Sequence, residues 1–573
     1  MTLVLILVAV IGAVALTERS VEHLPFAIAA LLLDAAVLLI FVGDFERAFL
    51  LSGTLAVAIA GVSIVKFDHS ALKLTVSDLP LAFAGTVPFL VLQYPRMMLG
   101  VLLGGVALVL GSIAILLYAA GPAISPELRI VVLVLALIGF ATACAVTGAA
   151  ASWQTALTQR SGFYSTFMAS LFDPLSWQQF GGLALSDIAN EPLPLRRAMP
   201  ARSIDPPDII VIQHESVFDP RIFGLPVEPS VEAFLSPAEG RYGRLNVDIF
   251  GGGSWQSEFS LLTGLSSASF GSGGYYLFKK GAGRFHNSLP HALAALGYRT
   301  TLISSCRRSF LNYDEFYRSI GVSERIFIDD LPSPFDAGRF EATNSDALFL
   351  NAAIDAHTRG IADDPTPRFL YVLTNYNHGP HDRRLVPPGQ FEKERALAMA
   401  SLPDAGYAEY YARLAETASV WQELRSELAH RLSGRPTLIV HYGDHQPVLT
   451  RRIDQQAQTG GRTRRAFRTF YAIEALNIPP KLFRSGPGAD LDIAFLGTVA
   501  LQQAGLPLDP IFSTRASLLD DCGASYFASA SRRKRRFHRT LVDLGLVDLT
   551  PHPQPARATK PDIRGLTGPR SSH

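Results

Sequence analysis

The chain has 573 residues, a formal net charge of +1 at pH 7, 48% hydrophobic residues and 18% charged ones. That length suits about two or three domains with ample material for a core. The near-neutral charge excludes nucleic acid as the main partner.

Roughly the first 150 residues carry few charges and divide into six apolar segments: Thr2–Leu16, Pro25–Gly43, Ala48–Val65, Leu79–Tyr94, Met97–Ala120 and Ile130–Val146. A bilayer span needs about 20 apolar residues, with about 17 as the lower limit. The first and fourth segments are short, so the expectation for residues 1–150 is a membrane domain of five or six helices. Thr2–Leu16 lacks a basic leading region and is followed by further spans, so it reads as a retained span rather than a signal peptide. Asp34 lies inside the second segment. A carboxylate there either faces a polar cavity or joins helices by hydrogen bonding. With six spans, the loops after the first, third and fifth carry Arg19, Lys66, Lys73 and Arg129, against Arg47, Arg96 and Arg160 on the other side. Positive-inside counting predicts a soluble part outside the cytoplasm.

Ala151 to about Leu193 holds Trp153, Phe163, Tyr164, Phe167 and Trp177. It reads as a connector near the membrane surface, where amphipathic aromatics settle. The proline-containing stretch Glu191–Pro207 reads as a linker, making 151–207 a connector region. From 208 to about 530, short apolar runs alternate with helical patterns. Strands are expected at Ile209–Gln213, Arg299–Ser304, Phe369–Thr374, Thr437–His441 and Phe470–Ile473, and helices at Glu258–Leu262, Pro290–Leu296, Ala347–His357 and Tyr407–Leu432. Strands spaced by helices imply an α/β domain with a mainly parallel sheet covered on both faces. The tail, 531–573, opens with SRRKRRFHR and continues rich in Pro and Arg. Such a composition predicts disorder, or attraction to anionic lipid headgroups. Cys144 falls in the last apolar segment, and Cys306 and Cys522 read as isolated thiols because no cysteine framework repeats.

Four short segments carry the chemistry. Glu215 follows the apolar run at Ile209, where a strand ends; alone, it is as readily a cap or turn residue. Asp444 and His445 stand side by side after Gly443, whose freedom lets both side chains reach one point. Two carboxylates, an imidazole and a hydroxyl suit a divalent ion such as Mn²⁺ or Zn²⁺. Ser254 follows Gly251, Gly252 and Gly253 and precedes a helix, whose positive end favours an anionic group. A serine hydroxyl becomes a nucleophile when its pKa is lowered; as a helix cap it would do no chemistry. Ser257 is the rival nucleophile three residues on. The run Thr374–Asp382 offers His378 and His381 at another strand end, for substrate binding or, in the case of His378, proton transfer.

The ordered set HES (His214–Ser216), GGGSWQSEF (Gly251–Phe259), NHGPH (Asn377–His381) and YGDH (Tyr442–His445) resembles the lipoteichoic acid synthase and phosphoglycerol transferase I group of the alkaline-phosphatase/sulfatase superfamily. The resemblance extends to the loop Lys66–Asp78, which ends in Ser77–Asp78. It implies a transmembrane helical bundle followed by a sulfatase-like α/β domain outside the membrane. It further implies one Mn²⁺-like ion on Glu215, Ser254, Asp444 and His445, Ser254 as nucleophile, and His378 as a substrate-binding or proton-transfer group. Serine stands where the family commonly has threonine. The family tends to show Trp-Asn-Arg where this chain reads Leu311-Asn312-Tyr313, leaving Asn312 as a substrate contact and Arg307 or Arg308 to supply the missing charge. The expected activity is transfer of phosphoglycerol from phosphatidylglycerol, through a covalent serine intermediate, to an extracytoplasmic acceptor. The Ala- and Arg-rich composition suggests a GC-rich genome and, with the resemblance, a periplasmic glucan as that acceptor. The alternatives are a phosphoethanolamine transferase and a non-catalytic membrane sensor. A formylglycine sulfatase is disfavoured, because Ser254 is followed by Trp255-Gln256-Ser257-Glu258 instead of the Pro and Arg of the modification motif.

Overall fold

Apolar helix formers fill the N-terminal segments, and burial in a chain of nine strands organises the remainder. The structure, a computed structural model, describes residues 2–70, 72–79, 91, 95–119, 121–148, 160–173, 183–202, 205–331, 345–456 and 465–550. The chain divides into two compact units, Met1–Phe180 and Gly181–His573.

In the first unit, helices span Thr2–Glu18, Leu24–Val42, Phe45–Ser70, Pro95–Tyr118, Pro126–Thr147 and Phe163–Phe172. Among the described residues four stretches are long and apolar enough to cross a membrane: Leu24–Val42, Phe45–Asp68, Pro95–Tyr118 and Pro126–Thr147. The expected fourth segment, Leu79–Tyr94, lies almost wholly outside the described residues, as do Trp153 and Trp177. Asp34 joins helices: its carboxylate accepts from the Tyr164 hydroxyl at 2.6 Å. Glu18 caps the last helix by accepting from the Tyr164 and Ser165 amides at 2.7 and 3.1 Å. Phe163, Tyr164 and Phe167 are consequently buried in this unit, which corrects their reading as surface-seeking aromatics.

The second unit is built on one sheet in the order β4-β3-β5-β1-β6-β7-β2-β8, with β9 also pairing β2. Its strands are β1 (Asp208–His214), β2 (Arg241–Asn246), β3 (Arg299–Ser304), β4 (Glu324–Phe327), β5 (Arg368–Leu373), β6 (Thr437–Gly443), β7 (Arg468–Leu476), β8 (Gly486–Pro487) and β9 (Leu491–Asp492). β4, β3, β5, β1 and β6 are mutually parallel, and β7 is antiparallel to both β6 and β2. Two reversals cancel, so β2 runs in the direction of β6. Alternate residues feed two cores: Ile209 and Val211 pack on one face, Ile210 and Ile212 on the other. Burial on both faces explains why the central strands read as unbroken apolar runs.

All five expected strands are present, as are the four expected helices, seen at Trp255–Thr263, Leu289–Ala295, Asp346–Thr358 and Ala405–Arg431. β2 and β4 carry too few apolar residues to be predicted. The stretch after residue 183 is no free linker: Leu183, Leu185 and Leu195 enter the core, and Met199 and Leu508 exchange backbone hydrogen bonds at 2.8 and 3.0 Å.

The disordered tail is corrected over its first part, because Arg532–Asp543 is a helix. Lys534, Phe537, His538 and Leu541 share its buried face. Lys534 Nζ pairs with Asp187 at 2.7 Å and donates to the Tyr526 carbonyl at 2.8 Å. A high arginine content hides this apolar-plus-lysine stripe from a composition argument. Residues 551–573 lie outside the described residues. Phe537 is fully buried, so Phe537→Ala should cost about 3–5 kcal/mol in denaturant unfolding. Exposed Arg535 should tolerate Ala within about 0.5 kcal/mol.

Candidate active site

The site follows from strand register. β1 and β6 pair in parallel with His214 opposite Gly443, so the next residues, Glu215 and Asp444, emerge together at the carboxyl edge. Only glycine fits at 443, because a Cβ there would lie 1.8 Å from the Val217 carbonyl oxygen. Asp444 Oδ1 accepts from the backbone amides of Ser216 and His445, both at 2.7 Å.

Ser254 arrives from β2, whose carboxyl end lies at the same edge. The intervening loop is pinned by the Gly251 amide donating to the Gln446 carbonyl at 2.8 Å, and Gly253 takes φ = 93° to turn into the helix Trp255–Thr263. Ser254 occupies the N-cap position, yet its side chain makes no capping hydrogen bond. Its hydroxyl donates to Glu215 Oε2 at 2.6 Å and lies 3.4 Å from His445 Nε2. Ser257, the rival, is fully buried and donates to the Asp444 carbonyl at 2.7 Å; its hydroxyl is committed to structure.

His445 Nε2 stands 3.2 Å from Glu215 Oε1 and 3.6 Å from Asp444 Oδ2. Its Nδ1 faces the Gln446 carbonyl at 3.0 Å. A carbonyl can only accept, so Nδ1 carries hydrogen and Nε2 is the inward ligand atom. One ligand atom each from Glu215, Asp444 and His445 lies within 4.8 Å of the others. Among the described residues Asp444 Oδ2 is buried with no hydrogen-bond partner, a state that costs upwards of about 1–3 kcal/mol unless something cationic answers it. The donor set and that orphaned oxygen fit a divalent cation. Without one, burial raises the Glu215 carboxyl, but His445 above all, with His378 and Ser254, outweighs burial and holds it below the usual carboxylate range. Burial and then the Glu215 charge push Asp444 up. Burial would lower His445, but Asp444 and Glu215 raise it to about 9.

The loop after β5 carries the two histidines to different fates. His378 is half-buried. His381 is buried, with Nε2 2.9 Å from the Asn377 carbonyl. It braces the loop through that contact. The two arginines after β3 also separate. Arg308 pairs with Asp314 at 2.7 Å and Asp330 at 2.6 Å and lies over the Phe327 ring. Arg307 is half-buried, and its side chain has no partner among the described residues. Asn312 adopts φ = 68° and donates its amide to the Phe278 carbonyl at 3.3 Å, so the structure ties its donor to the fold. Cys144, Cys306 and Cys522 are free thiols.

One buried group went unweighed in the sequence although it lies within GGGSWQSEF. Glu258, one helical turn beyond Ser254, accepts from Tyr313 at 3.0 Å, from Tyr317, and from the Gln213 amide at 3.4 Å. Burial pushes its carboxyl up to about 7 against those hydrogen bonds. An acid raised above its unfolded pKa of about 4.3 favours folding fully below that value, and the advantage is lost as pH rises through 7. Glu258→Gln should abolish this dependence. The unfolding free energy of the variant relative to wild type should rise by on the order of 3 kcal/mol between pH 4.5 and pH 8, read from denaturant titrations at the two pH values. A second measurement concerns the cation: Mn²⁺ or Zn²⁺ at about 100 times its Kd should stabilise the protein by roughly 2.7 kcal/mol. The matching rise in Tm should vanish in Asp444→Asn.

Residues 207–480 match the family model described as Sulfatase. Among curated proteins the chain is similar to the capsular polysaccharide biosynthesis protein RkpI of Rhizobium meliloti, 28% identical over 246 residues, 42% of each chain. The chain spans about half the length of the curated relatives it matches. Among solved structures it is similar to the lipooligosaccharide phosphoethanolamine transferase EptA of Neisseria meningitidis, at 12% identity and a TM-score of 0.49, covering 87% of this chain and 95% of that one. It is also similar to the phosphoglycerol transferase GacH of Streptococcus pyogenes, solved with sn-glycerol-1-phosphate, at 17% identity and a TM-score of 0.45, covering 70% and 93%.

Proposed function

We propose that this chain, whose sulfatase-superfamily domain follows helices of membrane-spanning length, is a membrane-anchored phosphotransferase that moves phosphoglycerol from phosphatidylglycerol to an extracytoplasmic glycan. It would reside in a bacterial inner membrane with the α/β domain on the periplasmic side. The observation that carries the reading is the Ser254 hydroxyl, held 2.6 Å from Glu215 in a buried carboxylate–imidazole cluster instead of capping its helix.

A divalent cation, Mn²⁺ in this reading, would be held by Glu215, Asp444, His445 and the Ser254 hydroxyl and would supply charge neutralisation there. Ser254 Oγ, passing its proton to Glu215 Oε2 at 2.6 Å, forms a bond to phosphorus as the bond from phosphorus to the diacylglycerol oxygen breaks. His378 gives the departing oxygen its proton. A glycan hydroxyl then attacks the same phosphorus, and Ser254 leaves and recovers its hydrogen. The description of RkpI as a capsular polysaccharide biosynthesis protein agrees with a glycan acceptor, and a periplasmic glucan is the one we favour.

The charges around β3 and β4 favour glycerol over ethanolamine. Asp314 and Asp330 are paired with Arg308, and Asp329 accepts from its amide at 2.9 Å. Arg307, whose side chain has no partner among the described residues, would repel an ammonium headgroup and attract a phosphate. Intact mass after incubation with Mn²⁺ and mixed phospholipids tests both points. We expect a glycerophosphate adduct on wild type and none on Ser254→Ala. A phosphoethanolamine adduct would keep the mechanism and change the donor. Neither adduct nor released diacylglycerol would leave the sensor alternative.

A further inference from the structure

The loop that carries His378 is held by one helix through one arginine. Arg413, in the helix Ala405–Arg431, is fully buried. Its Nη1 donates to the His378 carbonyl at 2.9 Å, and its Nη2 to the carbonyls of Pro380 at 3.2 Å and Arg383 at 2.7 Å. Its Nε donates to Glu409 at 2.9 Å, and Glu409 also accepts from the Leu385 amide at 2.8 Å. Two turns along the same stripe, Thr417 accepts from the Asn377 amide at 2.9 Å. Spacings of four and eight residues put Glu409, Arg413 and Thr417 on one helical face. That face therefore grips the loop on both sides of the histidine.

The grip sets a direction as well as a place. His378 Nδ1 lies 2.6 Å from the Gly379 carbonyl, which makes Nδ1 the donor there and leaves Nε2 as the nitrogen that can exchange a proton with substrate. A flexible surface loop would spread Nε2 over several ångströms, and about 1 Å of misplacement can cost on the order of a hundredfold in rate. A planar fork reaching three carbonyls is something lysine cannot reproduce.

We propose that Arg413 is a positioning residue for proton transfer: by clamping the carbonyls of His378, Pro380 and Arg383, it aims His378 Nε2 at the oxygen that leaves phosphorus. The inference rests on the proton-transfer role given to His378 above. In the step it serves, the leaving oxygen takes a proton from Nε2 as its bond to phosphorus breaks, and His378 is reprotonated when the acceptor hydroxyl surrenders its own.

The test compares two phosphodiesters on the full-length protein in detergent with Mn²⁺. Phosphatidylglycerol loses an alcohol, which needs a proton as it leaves; bis(4-nitrophenyl) phosphate loses a stable phenolate, which does not. Arg413→Lys should lower kcat for diacylglycerol release by about 10- to 100-fold, and His378→Ala by about 100-fold or more. Both should leave the first-turnover burst of 4-nitrophenolate, which precedes the step in which His378 takes the acceptor's proton, within about threefold of wild type and the Mn²⁺-induced rise in Tm unchanged. Equal loss on both substrates would reduce Arg413 to a structural role and overturn the inference, as would no loss on either. If Arg413→Lys does not fold, Thr417→Val, which removes the Asn377 contact together with the hydroxyl's bond to Asp346 at 2.7 Å, should show the same selectivity at smaller amplitude, and its absence would be equally decisive. Wild type that cleaves the nitrophenyl ester but releases diacylglycerol from no phospholipid would instead sink the proposed function, and this inference with it.

Discussion

Everything at the site depends on two carboxylates that the sheet forces together. Parallel pairing of β1 with β6 leaves no register in which Glu215 and Asp444 emerge apart, since His214 and Gly443 are already opposite each other. At an effective dielectric of about 20, two such charges roughly 4 Å apart repel by about 4 kcal/mol. Backbone amides from Ser216 and His445 absorb one oxygen of Asp444, and the serine hydroxyl and the His445 ring face Glu215. One Asp444 oxygen remains orphaned. The surrounding structure is an answer to that concentrated negative charge: it supplies donors, a raised imidazole, and room for a cation.

The two faces of the sheet support this edge by different means. On the face of Ile209 and Val211, Gln213 is the junction of a buried polar network. Its carbonyl oxygen accepts from Tyr371 and Tyr442, and its amide reaches Glu258 on the nucleophile's helix. Tyr313 and Tyr317 bring in the helix that follows the Arg307–Asn312 loop. A fully connected network of this kind fixes one arrangement of its elements, because every alternative leaves a buried group unpaired. On the opposite face, His214 and His441 sit without hydrogen-bond partners among Phe234, Trp421 and Phe470. There the constraint is ring packing, and burial drives both imidazoles towards neutrality.

What the sequence made legible follows the same physics. β1, β5 and β6 are apolar because they are buried on both faces, so a run of such residues marks them, and Glu215, His378 and Asp444 follow where those runs stop. β2 could not be found that way: RYGRLN lies near the sheet's edge and is half exposed. Without β2, the reason Ser254 reaches the cluster is invisible, although the glycines before it announce a turn. The tail failed for a related reason. Its helix buries a lysine and a histidine against Asp187, and composition treats both as signs of solvation. His381 and Asn312 show a third limit, since a polar side chain that serves the backbone of its own loop has the same letter as one that serves a ligand.

The arginine pair after β3 shows how charge, once distributed, narrows chemistry. Arg307 and Arg308 are indistinguishable in sequence, and either could replace the cation missing from Leu311-Asn312-Tyr313. Three-dimensional neighbours separate them: Asp314 and Asp330 claim Arg308 together with the Phe327 ring, and Arg325 shares Asp314 at 2.8 Å. Those acids are thereby paired, whereas the Arg307 side chain has no partner among the described residues. In the proposed reading, a donor headgroup uncharged apart from its phosphate would meet attraction without a repulsive counterpart. A headgroup bearing its own cation would meet both, and discrimination of this kind would require no contact with the headgroup at all.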